Sequence, residues 1–161
     1  MSRSIHVLGE FGAATRTKLI ANHLVATHIA AAAEALLMAR LAGLDMDATL
    51  AALTDGAGSS RMLEVRGPMM VGRSYEPASM RLELFLKDLG LIESLAASLG
   101  APTPLFTEVA VAFRAAAAGG ESARDTAVVH EWLSRMADPA ASADATEGTD
   151  TAPGTDDPPG S

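Results

Sequence analysis

Residues 12–43 read GAATRTKLIANHLVATHIAAAAEALLMARLAG, and this stretch decides the fold. Nine of the residues in 15–42 are alanine, the best helix former, so the stretch is expected to be one long helix. Its large apolar residues, from Leu19 and Ile20 to Met38 and Leu41, scatter around most of the circumference. A helix that is apolar nearly all round is a buried one, so other helices are expected to wrap it. Gly12 before it and Gly43 after it suit a flexible entry and a left-handed C-terminal cap. A membrane span would need about 18 or more apolar residues in a row, and His23, His28, Glu34 and Arg40 interrupt this one. The reading is therefore a core helix of a domain with no membrane partner.

The composition agrees. A chain of 161 residues suits one domain. Hydrophobic residues make up 48% and aromatics only 4%, which favours close helix packing over sheets rich in β-branched and aromatic residues. No cysteine is present, so disulfide and thiolate chemistry are excluded and a reducing cytoplasm is compatible. MSRSIHVLGEFG at the N-terminus lacks the long apolar core of a secretory signal. The formal net charge of −8 is concentrated at one end, because six acids and no bases follow from Asp138 onward. The part before it carries 12 bases and 14 acids and is nearly neutral, with no basic, aromatic-interleaved face for nucleic acid.

Around the long helix, residues 5–8 form one strand-like run without a partner. Asp45 can cap a short helix through about Leu53. In DGAGSSR, Gly56 and Gly58 match the first two glycines of a dinucleotide loop, but Arg61 stands in the third place and no strand precedes it. Ser59 or Ser60 is instead expected to cap a helix ending near Gly67-Pro68, followed by a loop over residues 70–78. A second long helix is expected over 79–99, then one from Thr103-Pro104 to about Ala118. Ser122-x-x-Asp125 resembles a capping box before a last helix that carries Trp132 and ends near Ala137. The acidic, proline-containing tail from 138 cannot bury enough apolar surface to offset its ordering entropy and is expected to be disordered. The division is thus a residual strand or linker over 1–11, a helical domain over 12–137 and a tail over 138–161.

Ten arginines accompany only two lysines, Lys18 and Lys87. Arginine stays protonated, whereas a desolvated lysine can exchange a proton, so a lysine kept among arginines is a candidate acid/base. Asn22 lies one turn after Lys18 on the same face and could bond the lysine or a substrate oxygen. The bland alternative is a lysine snorkelling from a helix start. Lys87-Asp88 interrupts an apolar helix pattern; it is either a cation aimed at an anionic ligand or half of a surface pair with Glu83, four residues earlier. His23 and His28 are five apart, on different faces, and read as packing or surface residues rather than metal ligands. The serines have no partners at a recognised triad spacing. The eight methionines read as core filler, with Met69-Met70 beside a pocket.

Four segments then carry a resemblance: G-x-x-x-x-x-K-x-x-x-N (Gly12, Lys18, Asn22), A-E-A-L…A-x-x-x-G-L-D (Ala33 to Asp45), F-L-K-D-L (Phe85 to Leu89) and L-G-x-P-x-P (Leu99 to Pro104). In this order and spacing they resemble the C-terminal domain of the β-hydroxyacid dehydrogenases. That family includes 3-hydroxyisobutyrate dehydrogenase, tartronate semialdehyde reductase and, more distantly, 6-phosphogluconate dehydrogenase. The resemblance implies an all-α bundle around one long central helix. It implies that Lys18 is the general acid/base, Asn22 orients substrate, Lys87 contacts NAD or NADP, and Gly12 lets backbone approach the substrate. It also implies a homo-oligomer, most simply a dimer. Ala14 replaces a glycine and Met80 a phenylalanine common in the family, which bears on substrate choice. Keeping Lys18 resembles the hydroxyacid branch more than the imine reductases.

The family's N-terminal Rossmann half, with its G-x-G-x-x-G loop, has no counterpart in these residues. The expectation is therefore a substrate-binding and dimerisation domain of an NAD(P)-dependent 3-hydroxyacid dehydrogenase acting on a small β-hydroxyacid. It would be inactive without a Rossmann partner. The alternative is a non-catalytic helical module derived from the same family.

Overall fold

A computed structural model describes residues 12–137. They form α1 (Ala13–Leu41), α2 (Met46–Asp55), α3 (Arg61–Val71), α4 (Leu82–Leu99), α5 (Pro104–Ala116) and α6 (Val129–Ala137). A π turn (Ala117–Glu121) and a 3₁₀ turn (Thr126–Val128) link α5 to α6. Among the described residues the only β-type pairing is one isolated bridge between Arg81 and Asp125, so the all-α expectation holds. The strand-like run at 5–8 and the acidic tail lie outside the described residues.

α1 is the spine against which α3, α4, α5 and α6 pack. Ile29, Ala33 and Leu36 recur at helical spacing on its inner stripe and are fully buried, with Ala26, Ala30 and Ala32 beside them. Alanines let neighbouring backbones close in, and Phe85, Phe106 and Phe113 fill the space between α4, α5 and the spine. Phe85 and Phe113 meet edge to face, their centroids 5.6 Å apart, a geometry worth about 0.5–1.5 kcal/mol beyond area burial. The expectation of an all-round wrap is overturned: Ile20, Leu24, Met38 and Leu41 are each at least half exposed. The packed helices occupy one side of α1, and an apolar circumference says nothing of how many partners are at hand. By length and composition α1 could cross a membrane, but its inner stripe is the core of this bundle.

Local chemistry sets most helix ends. Asp45 Oδ1 accepts from Ala48 N–H (2.8 Å) at the start of α2, and Ser60 Oγ accepts from Leu63 N–H (3.1 Å) at the start of α3. Tertiary contacts move two other ends. α3 does not stop at Gly67-Pro68 but runs through Pro68 to Val71, where Arg40 of α1 donates to the terminal carbonyls of Met70 (3.2 Å) and Val71 (3.4 Å). Gly67 packs closely on α2: a Cβ there would lie 2.5 Å from Leu50 Cδ1, so that side chain would have to turn aside. α4 begins three residues later than expected, because the backbone before it is tied to the 122–125 segment. Leu82 N–H donates to Arg124 C=O and Glu83 N–H to Ser122 C=O, both at 2.9 Å. The helix after Pro104 ends where expected: α5 closes at Ala116, and the π turn that follows is broken at Gly120, whose φ of +92° is left-handed.

Asp125 is the knot of this arrangement. It is not the far member of a capping box with Ser122 but is itself the N-cap, accepting from Ala127 N–H (3.0 Å). The same fully buried carboxylate accepts from Arg66 Nε (3.1 Å), Ser79 N–H (2.9 Å), Ser79 Oγ (2.8 Å) and Met80 N–H (3.1 Å). Burial alone would raise its pKa. The bonds from Ala127, Ser79 and Met80 and the Arg66 charge outweigh burial and hold it below the usual carboxylate range. Removing one member of such a buried pair strands the other charge. Asp125→Ala should therefore cost about 3–5 kcal/mol of unfolding free energy, read by urea denaturation, whereas Arg61→Ala at an exposed pair should cost under about 1 kcal/mol.

His130 of α6 is also fully buried, with its Nδ1 3.2 Å from the Tyr75 hydroxyl and no partner for Nε2 among the described residues. Burial, with the Arg40 charge, pushes its pKa down to about 4, against about 6.5 for a free side chain. Tyr75 is pushed up to about 12 by burial and by Glu131, so its hydroxyl keeps its proton. The unfolded chain takes a proton on this histidine from pH 6.5 downward, while the folded chain refuses it until about pH 4. Stability is therefore fully present above pH 6.5 and falls by up to about 1.4 kcal/mol per unit as pH drops toward 4. Denaturation midpoints at pH 7, 5.5 and 4.5 should show this decline, and His130→Leu should flatten it. An unchanged slope in the variant would assign the decline to other groups.

Candidate functional site

The inner stripe of α1 does not end where the core ends. Counting back from Leu36, Ala33 and Ile29 in steps of three, four and seven residues reaches Asn22, and one more turn reaches Lys18. The stripe that is apolar inside the bundle thus becomes polar where it emerges from it. Asn22 is half-buried and Lys18 exposed. Gly12 caps the same helix six residues before Lys18, with φ +90°. A Cβ there would meet nothing within 4 Å, so the glycine is needed for its left-handed conformation and not for room within this chain.

α4 supplies the opposite wall. Asn22 Nδ2 donates to Asp88 Oδ2 at 2.8 Å, joining the two helices across 66 residues of sequence. A carboxylate only accepts, so the amide must turn its NH₂ toward Asp88. Asn22 Oδ1 is left as an acceptor on the other side, with Lys18 one turn away. Lys87, exposed, is the neighbour of Asp88 on α4. The surface pairing of Lys87 with Glu83 does not form; among the described residues Glu83 pairs with Arg81 (3.6 Å). The structure therefore ties the Lys18–Asn22 face of α1 to α4 at Asp88, the member that the sequence reading left without a role, and Lys87 is the exposed residue next to it in sequence. Its signal was present as an acid in the middle of an apolar helix pattern, but its partner could not be read from spacing.

Other candidates settle as packing. His23 stacks on Phe106 with ring centroids 4.8 Å apart, and Met70 is buried in the core. Among the described residues no three His, Asp or Glu side chains gather as a metal site. A hollow of about 270 Å³ adjoins the site, but Leu19, Ile20, His23, Ile92 and Leu95 line it, so it is apolar and includes none of the polar residues. The segment holding Gly56 and Gly58 enters α3 through the Ser60 cap and forms no strand-to-helix cradle. Among the described residues no glycine-rich cradle encloses a dinucleotide, and the cation that α4 offers is the exposed Lys87.

Comparison with known proteins converges on the same helices. The profile described as NAD-binding of NADP-dependent 3-hydroxyisobutyrate dehydrogenase matches residues 12–133. L-threonate dehydrogenase of Haemophilus influenzae is 34% identical over 134 residues, 83% of this chain and 44% of that protein. 2-Hydroxy-3-oxopropionate reductase of Escherichia coli is 33% identical over 86% of this chain and 47% of its own length. The crystal structure of a 3-hydroxyisobutyrate dehydrogenase from Salmonella typhimurium superposes with a TM-score of 0.72 at 35% identity, covering 75% of this chain and 42% of that one. The chain spans less than half the length of the curated relatives it matches. A profile running from the cap of α1 into α6, together with the shared helical fold, shows that this chain belongs to the 3-hydroxyisobutyrate dehydrogenase family of β-hydroxyacid dehydrogenases.

Proposed function

We propose that this chain supplies the lysine-bearing half of the active site of an NAD(P)-dependent dehydrogenase acting on a small β-hydroxyacid, in the cytoplasm and as a homo-oligomer. The observation that carries the reading is the Asn22–Asp88 bond, which holds an amide acceptor one turn from Lys18 and ties it to the turn of α4 that carries Lys87. A nicotinamide held by a Rossmann domain, shared with this chain, would supply or accept the hydride at the reacting carbon. Lys18 gives a proton to the carbonyl oxygen during reduction and takes the hydroxyl proton during oxidation. Asn22, with one N–H given to Asp88, donates its second N–H to the reacting oxygen and keeps that oxygen next to Lys18 Nζ, while Oδ1 can accept from the lysine. Lys87 contacts the cofactor from α4, and Gly12 lets the backbone approach the substrate. Lys18 is exposed, so water exclusion at the reacting atoms falls to groups beyond these helices.

The test joins the full chain to the Rossmann domain of an NAD(P)-dependent hydroxyacid dehydrogenase, or mixes the two, and follows cofactor reduction. Alone, the chain should show no turnover. In the assembled enzyme Lys18→Ala should lower kcat by about 10²–10⁴-fold. Lys18→Arg should be nearly as damaging, because guanidinium keeps the charge but does not release its proton. Lys87→Ala should raise the cofactor KM with kcat little changed. Near-full kcat in Lys18→Arg would reduce Lys18 to an electrostatic anchor.

Asp88 acts only through Asn22, so its variants separate positioning from chemistry. Asp88→Ala frees the amide to rotate and should lower kcat by about 10–100-fold, the equivalent of one hydrogen bond to a charged group. Asp88→Asn, which can still accept from Asn22, should recover most of that loss. Equal losses in both variants would show that charge, and not orientation of the amide, is what Asp88 contributes.

A further inference from the structure

The polar set Lys18, Asn22 and Asp88 has almost only apolar neighbours on its own two helices. Residues three and four apart are neighbours on a helix surface. Besides Asn22, Lys18 has Ala14, Thr15 and Ala21, all exposed. Asn22 has Leu19 and Val25, both half-buried. Of the neighbours of Asp88, Leu84 and Leu91 reach the surface, 56% and 54% exposed. The two helices run antiparallel here. Asn22 meets Asp88, and toward the start of α1 Leu19 and Ile20 share the adjoining hollow with Ile92, Leu95 and Leu99 from further along α4. Leu91, one turn past Asp88, therefore stands at the level of Lys18, and Ala21 flanks the lysine on α1. Thr15, the one hydroxyl among these neighbours, is two turns from Asn22, beyond the lysine.

We propose that Ala21 and Leu91 set the substrate class of this site: β-hydroxyacids that carry an alkyl group, and not a hydroxyl, on the carbon next to the reacting one. The inference rests on the proposed roles of Lys18 and Asn22, since those two residues hold the reacting oxygen and so bring the next carbon beside the side chains that flank the lysine. An alkyl branch there is taken out of water against Leu91, and Ala21, which ends at Cβ, leaves room for it. A hydroxyl in the same place gives up its water and finds no donor or acceptor on Ala21 or Leu91. The selectivity is graded, because an apolar wall rejects a hydroxyl in place of a methyl by only about 10²-fold.

The probes are two racemic acids of nearly equal size, 3-hydroxy-2-methylpropanoate and 2,3-dihydroxypropanoate, which differ by a methyl against a hydroxyl. The full chain is assembled with one and the same Rossmann domain throughout, and kcat/KM is measured for both acids. Wild type should prefer the methyl compound by about 10–100-fold. Ala21→Ser and Leu91→Asn, which offer the hydroxyl a partner, should each cut that preference by about tenfold. Thr15→Val should leave it unchanged. The hydroxyl also alters the intrinsic ease of oxidation, so the deciding number is the change of the ratio between wild type and variant, in which that effect cancels. Circular dichroism melts check folding; if Leu91→Asn unfolds, the conservative Ala21→Ser decides alone. An equal or reversed preference in wild type, a ratio unmoved by Ala21→Ser, or one governed by Thr15→Val overturns this inference and leaves the proposed function standing, provided Lys18→Ala still abolishes turnover of both acids. Turnover of neither acid by the assembled wild type, or full activity of Lys18→Ala, overturns the proposed function and this inference with it.

Discussion

One buried carboxylate governs how the parts of this molecule meet. A charge with no access to water is tolerable only when its oxygens are fully hydrogen-bonded and a counter-charge is near. Asp125 meets that demand with groups from three places: Arg66 in α3, the backbone and hydroxyl of Ser79 with Met80 N–H before α4, and Ala127 N–H in the turn leading to α6. Each donor has to be brought to one point, so the bonds locate the start of α4 relative to α3 and α6. The isolated bridge between Arg81 and Asp125 and the delayed start of α4 are consequences of the same tie.

The position of α4 then matters for chemistry. Asp88 lies two turns into this helix, and its distance to Asn22 is set by where α4 begins and how it rests on α1. A fault at Asp125 would travel as a displacement of α4, changing the orientation of the Asn22 amide without touching either residue. Stability and the candidate site are therefore linked through a rigid helix, which explains why a buried ion pair of doubtful net stabilising worth can still be retained for the geometry it imposes.

Alanine-rich composition plays two parts in α1. On the inner side, Ala26, Ala30 and Ala33 let four helices reach the spine with few aromatic residues to fill gaps. On the outer side, Ala31, Ala35 and Ala42 leave a shallow floor between larger apolar residues. The same small side chain that allows a tight interior leaves a low apolar floor on the exposed side.

Much was legible in the sequence because it depends on neighbours along the chain. Helical period, the Asp45 and Ser60 caps, Gly43 and Gly100 at left-handed helix ends, and the four-residue spacing of Lys18 and Asn22 are all local, and local sterics and hydrogen bonding suffice to set them. The motifs from Gly12 to Pro104 carried the family for the same reason, being short runs in a fixed order. What only the tertiary structure decided were pairings across long separations: Arg66 with Asp125, Asn22 with Asp88, Arg40 on the end of α3, and which side of α1 is covered. The run through Pro68 and the late start of α4 belong here as well, since donors and acceptors from other helices fixed those ends. An amide, a carboxylate or an exposed apolar face has many chemically adequate partners in a sequence, and only the packing of helices in space selects one.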